Sequence, residues 1–170
     1  ALIRVAAAGI CGSDSNYFTH GRLGDKVITS PFTPGHEIAG VVEEIGENDR
    51  GIPAEARVGI EPSMPCGTCE FCRREIYNLC TNLVFLGSWP VNGGMSEYVT
   101  APVENLFPLP DNVSTVEGVL IEMVSVGIHA LDISAIKLAD TVAIFGAGSI
   151  GLSHLQCALL AGASSVYVVD

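Results

Sequence analysis

The sequence predicts a mixed β and α/β fold, in which an all-β part with long loops is followed by a single β-α-β unit. Residues 1–110 contain short β-prone segments separated by Gly- and Pro-rich connections. From Ser114 onward, apolar residues recur at helical spacing, and a glycine turn then separates a short apolar segment from a second helical stretch. We therefore predict two domains, 1–114 and 115–170.

Four strands are predicted in the first domain, because each is a short apolar segment, alternating or β-branched, bounded by turn residues. They cover 2–7, 37–45, 57–60 and 96–101. In the second domain, Ser114 or Thr115 could cap a helix that extends to Leu131. The β-α-β unit follows, with its strand, helix and second strand at 141–145, 152–160 and 166–169.

Composition and charge exclude several classes of protein. Apolar residues make up 48% of the chain and charged residues 16%, which allows a buried core and excludes disorder. The net charge of -11 repels a phosphate backbone, so nucleic acid is not expected as a partner. The longest apolar stretch, 118–131, is interrupted by Glu122 and His129, so no membrane helix is expected. We predict a soluble, cytoplasmic protein.

Four of the six cysteines are spaced as ligands of a closed metal site. Two residues between successive cysteines allow one loop to direct its thiolates onto one centre, and a more distant fourth completes a tetrahedron around structural zinc. Two disulfides or an iron-sulfur cluster are the alternatives, which the absence of a signal peptide and of a Pro near the fourth cysteine disfavour. The zinc ligands, in an irregular lobe over 64–82, would be Cys66, Cys69, Cys72 and Cys80.

The segment from Gly146 to Gly151 matches the G-x-G-x-x-G pattern and has the context of a dinucleotide-binding turn, between a predicted strand and a predicted helix. Gly146 would permit the tight turn, Gly148 would let a pyrophosphate approach the backbone, and Gly151 would let helix and strand pack closely. Ser149 and Ile150 would lie where the helix begins, and its N-terminus would face the phosphates.

Asp170 ends the second predicted strand, about 20 residues after the glycine turn, where an acidic residue accepts hydrogen bonds from the adenosine ribose. A carboxylate at this position would repel a ribose phosphate, so NAD is favoured over NADP as the cofactor. The alternative is a glycine turn that binds no nucleotide.

A second group of possible metal ligands is spread along the chain. Cys11 lies in a turn in which two glycines would expose its thiol, and His36 with Glu37 offers the nitrogen and oxygen ligands that catalytic zinc takes. Glu122 stands in an apolar stretch, where a carboxylate needs a partner. That partner could be the metal site, or one of the eight basic residues in a buried salt bridge.

In this order, the motifs resemble those of the zinc-dependent medium-chain alcohol dehydrogenases over essentially the whole chain. They are Cys11-Gly12-Ser13-Asp14, Gly35-His36-Glu37, the four cysteines, Gly93-Gly94-Met95-Ser96-Glu97-Tyr98-Val99 and the glycine turn. Within that superfamily, the chain most resembles the polyol branch, the sorbitol and xylitol dehydrogenases. The residues that indicate this branch are Tyr17, Gly21-Arg22-Leu23-Gly24, Phe85-Leu86-Gly87, Glu122, 125–127 and 129–130.

The resemblance implies a GroES-like, partly open β-barrel as the catalytic domain, followed by the first β-α-β unit of a Rossmann domain. Compared with that superfamily, the chain is expected to be a fragment that begins inside the first domain and ends early in the second. The intact enzyme would be a homodimer or homotetramer. Glu75 stands where the family usually has glycine, so the loop after Cys72 is expected to be strained or differently turned.

The resemblance also implies the ligands of a catalytic zinc. Cys11 and His36 would bind the ion, with Glu37 as a third ligand. Glu122 would be a further ligand or would accept a hydrogen bond from the zinc-bound water. Other alcohol dehydrogenases of the superfamily have a cysteine at that position, so Glu122 favours the polyol branch and leaves the last ligand open.

Three more residues receive roles from the resemblance. Ser13 would relay the hydroxyl proton, Asp14 would fix the tautomer of His36, and Tyr17 would line the substrate pocket. The implied reaction transfers a hydride between a secondary alcohol, most closely a polyol, and NAD, while zinc lowers the pKa of the hydroxyl. A threonine, butanediol or hexonate dehydrogenase is the alternative within this class, and a catalytically dead zinc-binding interaction domain is the alternative outside it.

Overall fold

The computed structural model describes residues 1–170 and divides into two compact units, Ala1–Val119 and Leu120–Asp170. The division falls a few residues after the 114/115 boundary that the sequence predicts, at the junction of two helices. None of the helices combines the length and the apolar character that a membrane span requires.

A five-stranded antiparallel sheet forms the centre of the first unit. In chain order the strands of this unit are β1 (Leu2–Ala8), β2 (Arg22–Leu23), β3 (Lys26–Val27), β4 (Ile38–Glu44), β5 (Arg57–Ile60), β6 (Ser63–Met64), β7 (Val84–Phe85), β8 (Tyr98–Thr100) and β9 (Leu106–Pro108). The sheet has the order β8-β1-β4-β5-β9, while β2 pairs with β3 and β6 with β7. The helices are α1 (Gly12–His20), α2 (Glu70–Arg73) and α3 (Thr115–Gly118), with 3-10 turns at Tyr77–Leu79 and Val103–Asn105.

The core of the first unit is formed by apolar side chains from the sheet. Because successive residues of a strand point to opposite faces, one face of each strand can be buried completely. In the main hydrophobic cluster, six side chains expose at most 2% of their surface: Ile3, Ile38, Val42, Val58, Ile60 and Leu106. The packed sheet therefore holds the ends of its strands, and the loops that follow them, in fixed positions.

The four predicted strands are confirmed as β1, β4, β5 and β8, with ends that differ by at most two residues. The sequence analysis does not predict β9 or the two short strand pairs, because a segment of two or three residues carries too little periodicity. Ser114 is the N-cap of α3, as the sequence allows: its hydroxyl accepts a hydrogen bond from the N–H of Glu117 at 3.2 Å.

Helix α1 differs from the prediction, which has only a turn around Cys11. Cys11 is instead the N-cap residue, and its N–H donates to the carboxylate of Asp14 at 2.8 Å. Gly21, with a φ of 64°, ends the helix in the left-handed conformation. Only Asp14 and Tyr17 of this helix are buried, so its sequence lacks the apolar periodicity by which a helix is recognised.

The second unit contains α4 (Leu120–Ser134), β10 (Thr141–Phe145), α5 (Ser149–Leu160) and β11 (Ser165–Val169). Strands β10 and β11 pair in parallel, α5 packs against both, and α4 packs against α5. A Cβ added to Gly127 of α4 would lie 2.9 Å from both the Ser153 hydroxyl and the Cys157 sulfur, so the two helices approach closely there. This is the predicted β-α-β unit, although α5 begins at Ser149 and not at 152.

Candidate metal centres and glycine turn

The four cysteines of the predicted sulfur lobe (64–82) lie together in the structure. Their sulfur atoms are all within 4.8 Å of one another, and those of Cys66 and Cys72 are 4.0 Å apart. Sulfur ligands around a tetrahedral zinc are separated by about 3.8 Å. All four are free thiols, so their arrangement fits a tetrahedral ion and not a pair of disulfides.

Short local elements hold the sulfur lobe. Cys69 is the N-cap of α2, where its sulfur accepts a hydrogen bond from the N–H of Cys72 at 3.5 Å. Cys80 follows the 3-10 turn, and its sulfur accepts from the N–H of Cys66 at 3.3 Å. Glu75 has a φ of 61°, in the left-handed region that favours glycine. The loop after Cys72 is therefore strained at the position where the resemblance expects a glycine.

Backbone donors and burial separate the pKa values of these thiols. The N–H of Thr68 lowers the pKa of Cys66 to about 5, and the N–H of Cys72 lowers the pKa of Cys69 to about 7. Burial raises the pKa of Cys72 to about 12. Since the thiolate is the form that binds metal, the lobe already favours that form at two of its ligands.

The mixed-ligand cluster is a second group, made of Cys11, His36 and Glu37, whose ligand atoms lie within 4.8 Å of one another. Antiparallel pairing of β1 with β4 brings the end of one strand to the start of the other. The N–H of Gly9 donates to the carbonyl of Glu37 at 2.8 Å and extends this pairing beyond both strands. One sulfur, one nitrogen and one oxygen ligand fit a zinc site that keeps a fourth position open.

The imidazole of His36 is buried, and the Phe85 ring packs against it with their centroids 5.5 Å apart. In the sequence, Phe85 indicates only the polyol branch, and this contact is not predicted. The contact joins residues far apart in the chain, so no local pattern in the sequence could have indicated it. Phe85 thus helps to fix the orientation of the buried His36 ring.

Asp14 connects the two loops that carry the ligands of the mixed-ligand cluster. One oxygen of its buried carboxylate accepts from the N–H of Cys11 at 2.8 Å, and the other accepts from the N–H of Gly35 at 3.2 Å. These partners differ from the expected one, the imidazole of His36. Because α1 begins at Cys11, Asp14 stands in its first turn, where the free N–H groups of the helix start and of the adjoining loop are within reach.

Three glycines fix the loop that leads to His36. Gly35 has a φ of 98°, and a Cβ on it would lie 2.7 Å from Met95 Cγ. A Cβ on Gly93 would lie 2.6 Å from Gly87 Cα and would overlap the carbonyl oxygen of Gly35. The backbones of Gly35, Gly87 and Gly93 are therefore in contact, and this contact holds the backbone of the following residue, His36, in place.

Ser13 and Tyr17, the predicted proton relay and substrate-lining residue, both lie on α1. Ser13 is half-buried in the first turn, two positions after Cys11. Tyr17 is only 5% exposed: its ring packs edge-on against Phe32, and its hydroxyl accepts from the N–H of Trp89 at 3.2 Å. In this structure Tyr17 therefore joins α1 to the segment after β7, and a lining role stays a prediction.

In the glycine turn (146–151), each of the three glycines is explained by a different feature of the local geometry. Gly146 has a φ of 111°, which side chains rarely adopt, and a Cβ on Gly151 would overlap the carbonyl oxygen of Gly146. A Cβ on Gly148 would meet no atom within 4 Å, so the space in front of this residue is open. Gly148 is the N-cap of α5 and supplies no side-chain cap, which leaves the first N–H groups, from Ser149 and Ile150 onward, available to a phosphate.

Asp170 follows β11 and touches the glycine turn. One oxygen of its carboxylate accepts a hydrogen bond from the N–H of Ala147 at 3.0 Å. The structure thus brings together the two parts of the predicted nucleotide site, the turn and the acidic residue.

Glu122 lies in the first turn of α4, half-buried in the second unit. Its predicted role at the catalytic zinc stays a prediction.

Comparison with known proteins gives matches along the whole chain. Residues 1–111 match the family described as the alcohol dehydrogenase GroES-like domain. The chain is 41% identical to a sorbitol dehydrogenase of Bacillus subtilis (strain 168) over 169 residues, which are 99% of this chain and 48% of that protein. It is 40% identical to an L-idonate 5-dehydrogenase of Vitis vinifera over 168 residues, 99% of this chain and 46% of that protein.

A solved structure of a Sinorhizobium meliloti 1021 protein, assigned as a zinc-binding dehydrogenase and bound to NADP, has a TM-score of 0.88. It is 40% identical and covers 98% of this chain and 47% of its own. The chain therefore spans about half the length of the curated relatives that it matches. These matches confirm the predicted fold class and the resemblance to the zinc-dependent polyol dehydrogenases.

Proposed function

Because the chain belongs to the family of the alcohol dehydrogenase GroES-like domain, we propose that it acts as a zinc-dependent dehydrogenase that transfers a hydride between a secondary alcohol and NAD. The observation that carries the proposal is the mixed-ligand cluster, where Cys11, His36 and Glu37 place three ligand atoms within 4.8 Å of one another. Three ligands of mixed type leave a position for a substrate oxygen, whereas four thiolates close a site.

The residues present fit two zinc ions with different purposes. The sulfur lobe has four thiols at tetrahedral separations, so an ion there would hold the lobe in shape. At the mixed-ligand cluster, zinc would lower the pKa of an alcohol hydroxyl and so favour loss of hydride to a nicotinamide. Ser13 would carry the released proton away, since it lies two positions after Cys11 on the first turn of α1.

The second unit supports binding of a dinucleotide. The open space at Gly148 and the free N–H groups at the start of α5 suit a pyrophosphate. One carboxylate oxygen of Asp170 accepts a hydrogen bond from the N–H of Ala147, and the second oxygen could accept one from a ribose hydroxyl. The negative charge there favours NAD over NADP, although the Sinorhizobium meliloti protein is bound to NADP. Both cofactors therefore belong in the assay.

A polyol is the substrate that we propose, and a hexonate is the second candidate. The chain is 41% identical to a sorbitol dehydrogenase and 40% identical to an L-idonate 5-dehydrogenase, so the two names are supported almost equally. Both substrates carry several hydroxyl groups beside the reacting carbon. Homodimeric or homotetrameric assembly and a cytoplasmic location are further proposals, which light scattering and cell fractionation would test.

A substrate panel on the full-length protein tests the proposed function. Sorbitol, xylitol, L-idonate, threonine and butanediol are assayed with NAD and with NADP after metal analysis. We expect about two zinc ions per chain and NAD reduction with sorbitol or xylitol. Preference for L-idonate would transfer the assignment to the hexonate class. Two bound zinc ions without turnover of any substrate would support a zinc-binding interaction domain instead.

The proposed role of Glu122 has a separate test. Replacing Glu122→Gln keeps the size of the side chain and removes its charge. If the carboxylate acts on zinc or on its water, kcat falls on the order of a hundredfold while NAD affinity stays nearly unchanged. Unchanged kcat would assign Glu122 to a salt bridge.

A further inference from the structure

We propose that Gly9 is a positioning residue, whose missing side chain leaves the space that the Glu37 carboxylate needs to reach the other ligands of the mixed-ligand cluster. The inference rests on the proposed function, since it assumes that Cys11, His36 and Glu37 hold a metal. Gly9 lies two residues before Cys11, in the turn where glycines are expected only to expose the thiol.

The space at Gly9 is occupied by Glu37. A Cβ built on Gly9 would overlap the Glu37 Oε2 atom and would lie 2.9 Å from Glu37 Cβ. Carbon atoms in van der Waals contact normally lie about 3.5 to 4.0 Å apart. Even an alanine methyl group would therefore displace the carboxylate, and not merely crowd it.

The β pairing explains why these two residues meet. Ala7 opposes Ala39 and Ala8 opposes Ile38 in the β1–β4 pair. The same register places Gly9 opposite Glu37, and their backbones are joined by the hydrogen bond of 2.8 Å from Gly9 N–H to the Glu37 carbonyl. Directly opposed residues in an antiparallel pair extend their side chains to the same face. The Glu37 side chain can cross over position 9 toward Cys11 because nothing projects there.

Backbone conformation does not explain the glycine at this position. Gly35 and Gly146 have positive φ angles, which themselves disfavour a side chain, but Gly9 is not among the residues with positive φ. A left-handed backbone is therefore not the reason for a glycine at position 9. Position 9 therefore requires a residue without a side chain, because the Glu37 Oε2 atom occupies the space that a Cβ would fill.

Val119 supplies the second contact around this space. A Cβ on Gly9 would lie 3.0 Å from Val119 Cγ1, and Val119 is buried. A methyl group at position 9 would thus be held between Glu37 and Val119. This second contact offers a way to separate ordinary overpacking from an effect on the ligand, because Val119 can be shortened while Glu37 stays intact.

The test uses cobalt(II) bound to the full-length protein, since the d–d absorption of cobalt reports its ligand set. The difference between wild type and Cys11→Ala identifies the band of the mixed-ligand cluster, and the remaining absorption belongs to the sulfur lobe. Gly9→Ala is compared with Gly46→Ala, which lies beyond the other end of β4 and whose Cβ would meet no atom within 4 Å. Zinc affinity of the cluster is measured by chelator competition.

We expect Gly9→Ala to weaken zinc at the mixed-ligand cluster by about 10- to 100-fold and to shift its cobalt band toward that of Glu37→Gln. The band of the sulfur lobe and the properties of Gly46→Ala stay unchanged. In a Glu37→Gln background, Gly9→Ala causes no further loss, because both changes remove the same ligand. Adding Val119→Ala to Gly9→Ala relieves the packing but does not restore zinc affinity, and this double variant also serves if Gly9→Ala alone does not fold.

Three results would overturn the inference while leaving the proposed function intact. They are wild-type zinc affinity in Gly9→Ala, losses from Gly9→Ala and Glu37→Gln that add fully, and restored affinity when Val119→Ala is added. If wild type itself shows no cobalt band that depends on Cys11, the proposed metal site is wrong, and the role of Gly9 fails with it.

Discussion

The sulfur lobe and the mixed-ligand cluster are both groups of side chains that could hold a metal ion, but they form in opposite ways. The lobe takes its ligands from residues 66–80, and its hydrogen bonds join cysteines within that segment. The mixed-ligand cluster joins Cys11 to His36 and Glu37, which meet only because β1 pairs with β4. Spacing along the chain is thus sufficient to form the first group, whereas the second exists only once the sheet has formed.

The two groups also differ in how their ligands are held. In the lobe, backbone N–H groups donate to the sulfur atoms themselves, and this lowers the pKa of Cys66 to about 5. In the mixed-ligand cluster, support comes from groups that do not bind metal: Asp14 holds the loops, Phe85 packs against His36, and Gly9 leaves room for Glu37. Substitutions that leave all ligands in place should therefore damage the second group more than the first.

The largest effect is expected from Cys11→Ala. Removing this ligand should abolish the metal of the mixed-ligand cluster and lower kcat by at least about a thousandfold, since metal stabilisation of the reacting oxygen contributes several kcal/mol. The zinc of the sulfur lobe should stay, because no ligand is shared. Metal analysis and kcat on the same preparation check this, and loss of both ions would contradict the independence of the two groups.

Cys69→Ala should give the converse result. The lobe loses a ligand and also the N-cap of α2, because the same sulfur accepts from the N–H of Cys72. We expect one zinc per chain, rapid proteolysis within 64–82, and a fall in kcat of less than about tenfold, because the mixed-ligand cluster keeps its ligands. A fall as large as that of Cys11→Ala would show that the lobe is needed to form the reacting site.

The same contrast explains how much the sequence could predict. Strands β5 and β10 agree with the prediction to the residue, because each is a short apolar segment bounded by turn residues. Gly146 and Gly151 also have the predicted tight turn and close packing, because both depend on a spacing of a few residues. Features within one short segment are accessible to sequence reasoning.

Features that depend on tertiary contacts were less accessible. Helix α1 is not predictable from apolar periodicity, because only Asp14 and Tyr17 of its residues are buried. The partners of Asp14 and the burial of Tyr17 depend on the loops at Gly35 and Trp89, which lie far away in the sequence. The resemblance supplied the mixed-ligand group, but pairing of β1 with β4 is what explains it physically.

Asp14→Asn tests the support of the mixed-ligand cluster without removing a ligand. The N–H groups of Cys11 and Gly35 donate to different oxygens of the carboxylate, and the amide replaces one of these oxygens with an NH₂ group that cannot accept. One buried N–H then loses its partner, and we expect zinc affinity at this cluster to fall by about 10- to 100-fold.

Chelator competition measures this affinity, and the sulfur lobe of the same protein is the internal control. Asp14→Glu keeps the charge but changes the reach of the carboxylate, so it should recover little of the affinity if geometry is decisive. Equal weakening of zinc at both groups would indicate general destabilisation, and would contradict a specific role for Asp14.

The smallest effect is expected at α3, whose N-terminal cap is formed by residues of the same short segment. This helix packs against β5, and also against β1 and β4, whose pairing brings the mixed-ligand cluster together. The Ser114 hydroxyl and N–H both donate to the Glu117 carboxylate, and they lower its pKa. A carboxyl group whose pKa is lower in the folded state stabilises that state at pH values above its unfolded pKa of about 4.3. The contribution disappears as the pH falls through the folded value, where the group is protonated in both states.

The variant Glu117→Gln should therefore lower Tm slightly at pH 7, and the difference from wild type should shrink as the pH falls through the lowered pKa of Glu117. Ser114→Ala is the control: it costs about 1 kcal/mol, and part of this loss persists in acid, because the hydroxyl also accepts from the Glu117 N–H. Thermal unfolding between pH 3 and 8 measures both. If the Tm difference between Glu117→Gln and wild type grows as the pH falls, its sign contradicts the proposed cap. If Glu117→Gln also loses zinc from the mixed-ligand cluster, the cap of α3 affects the stability of that cluster.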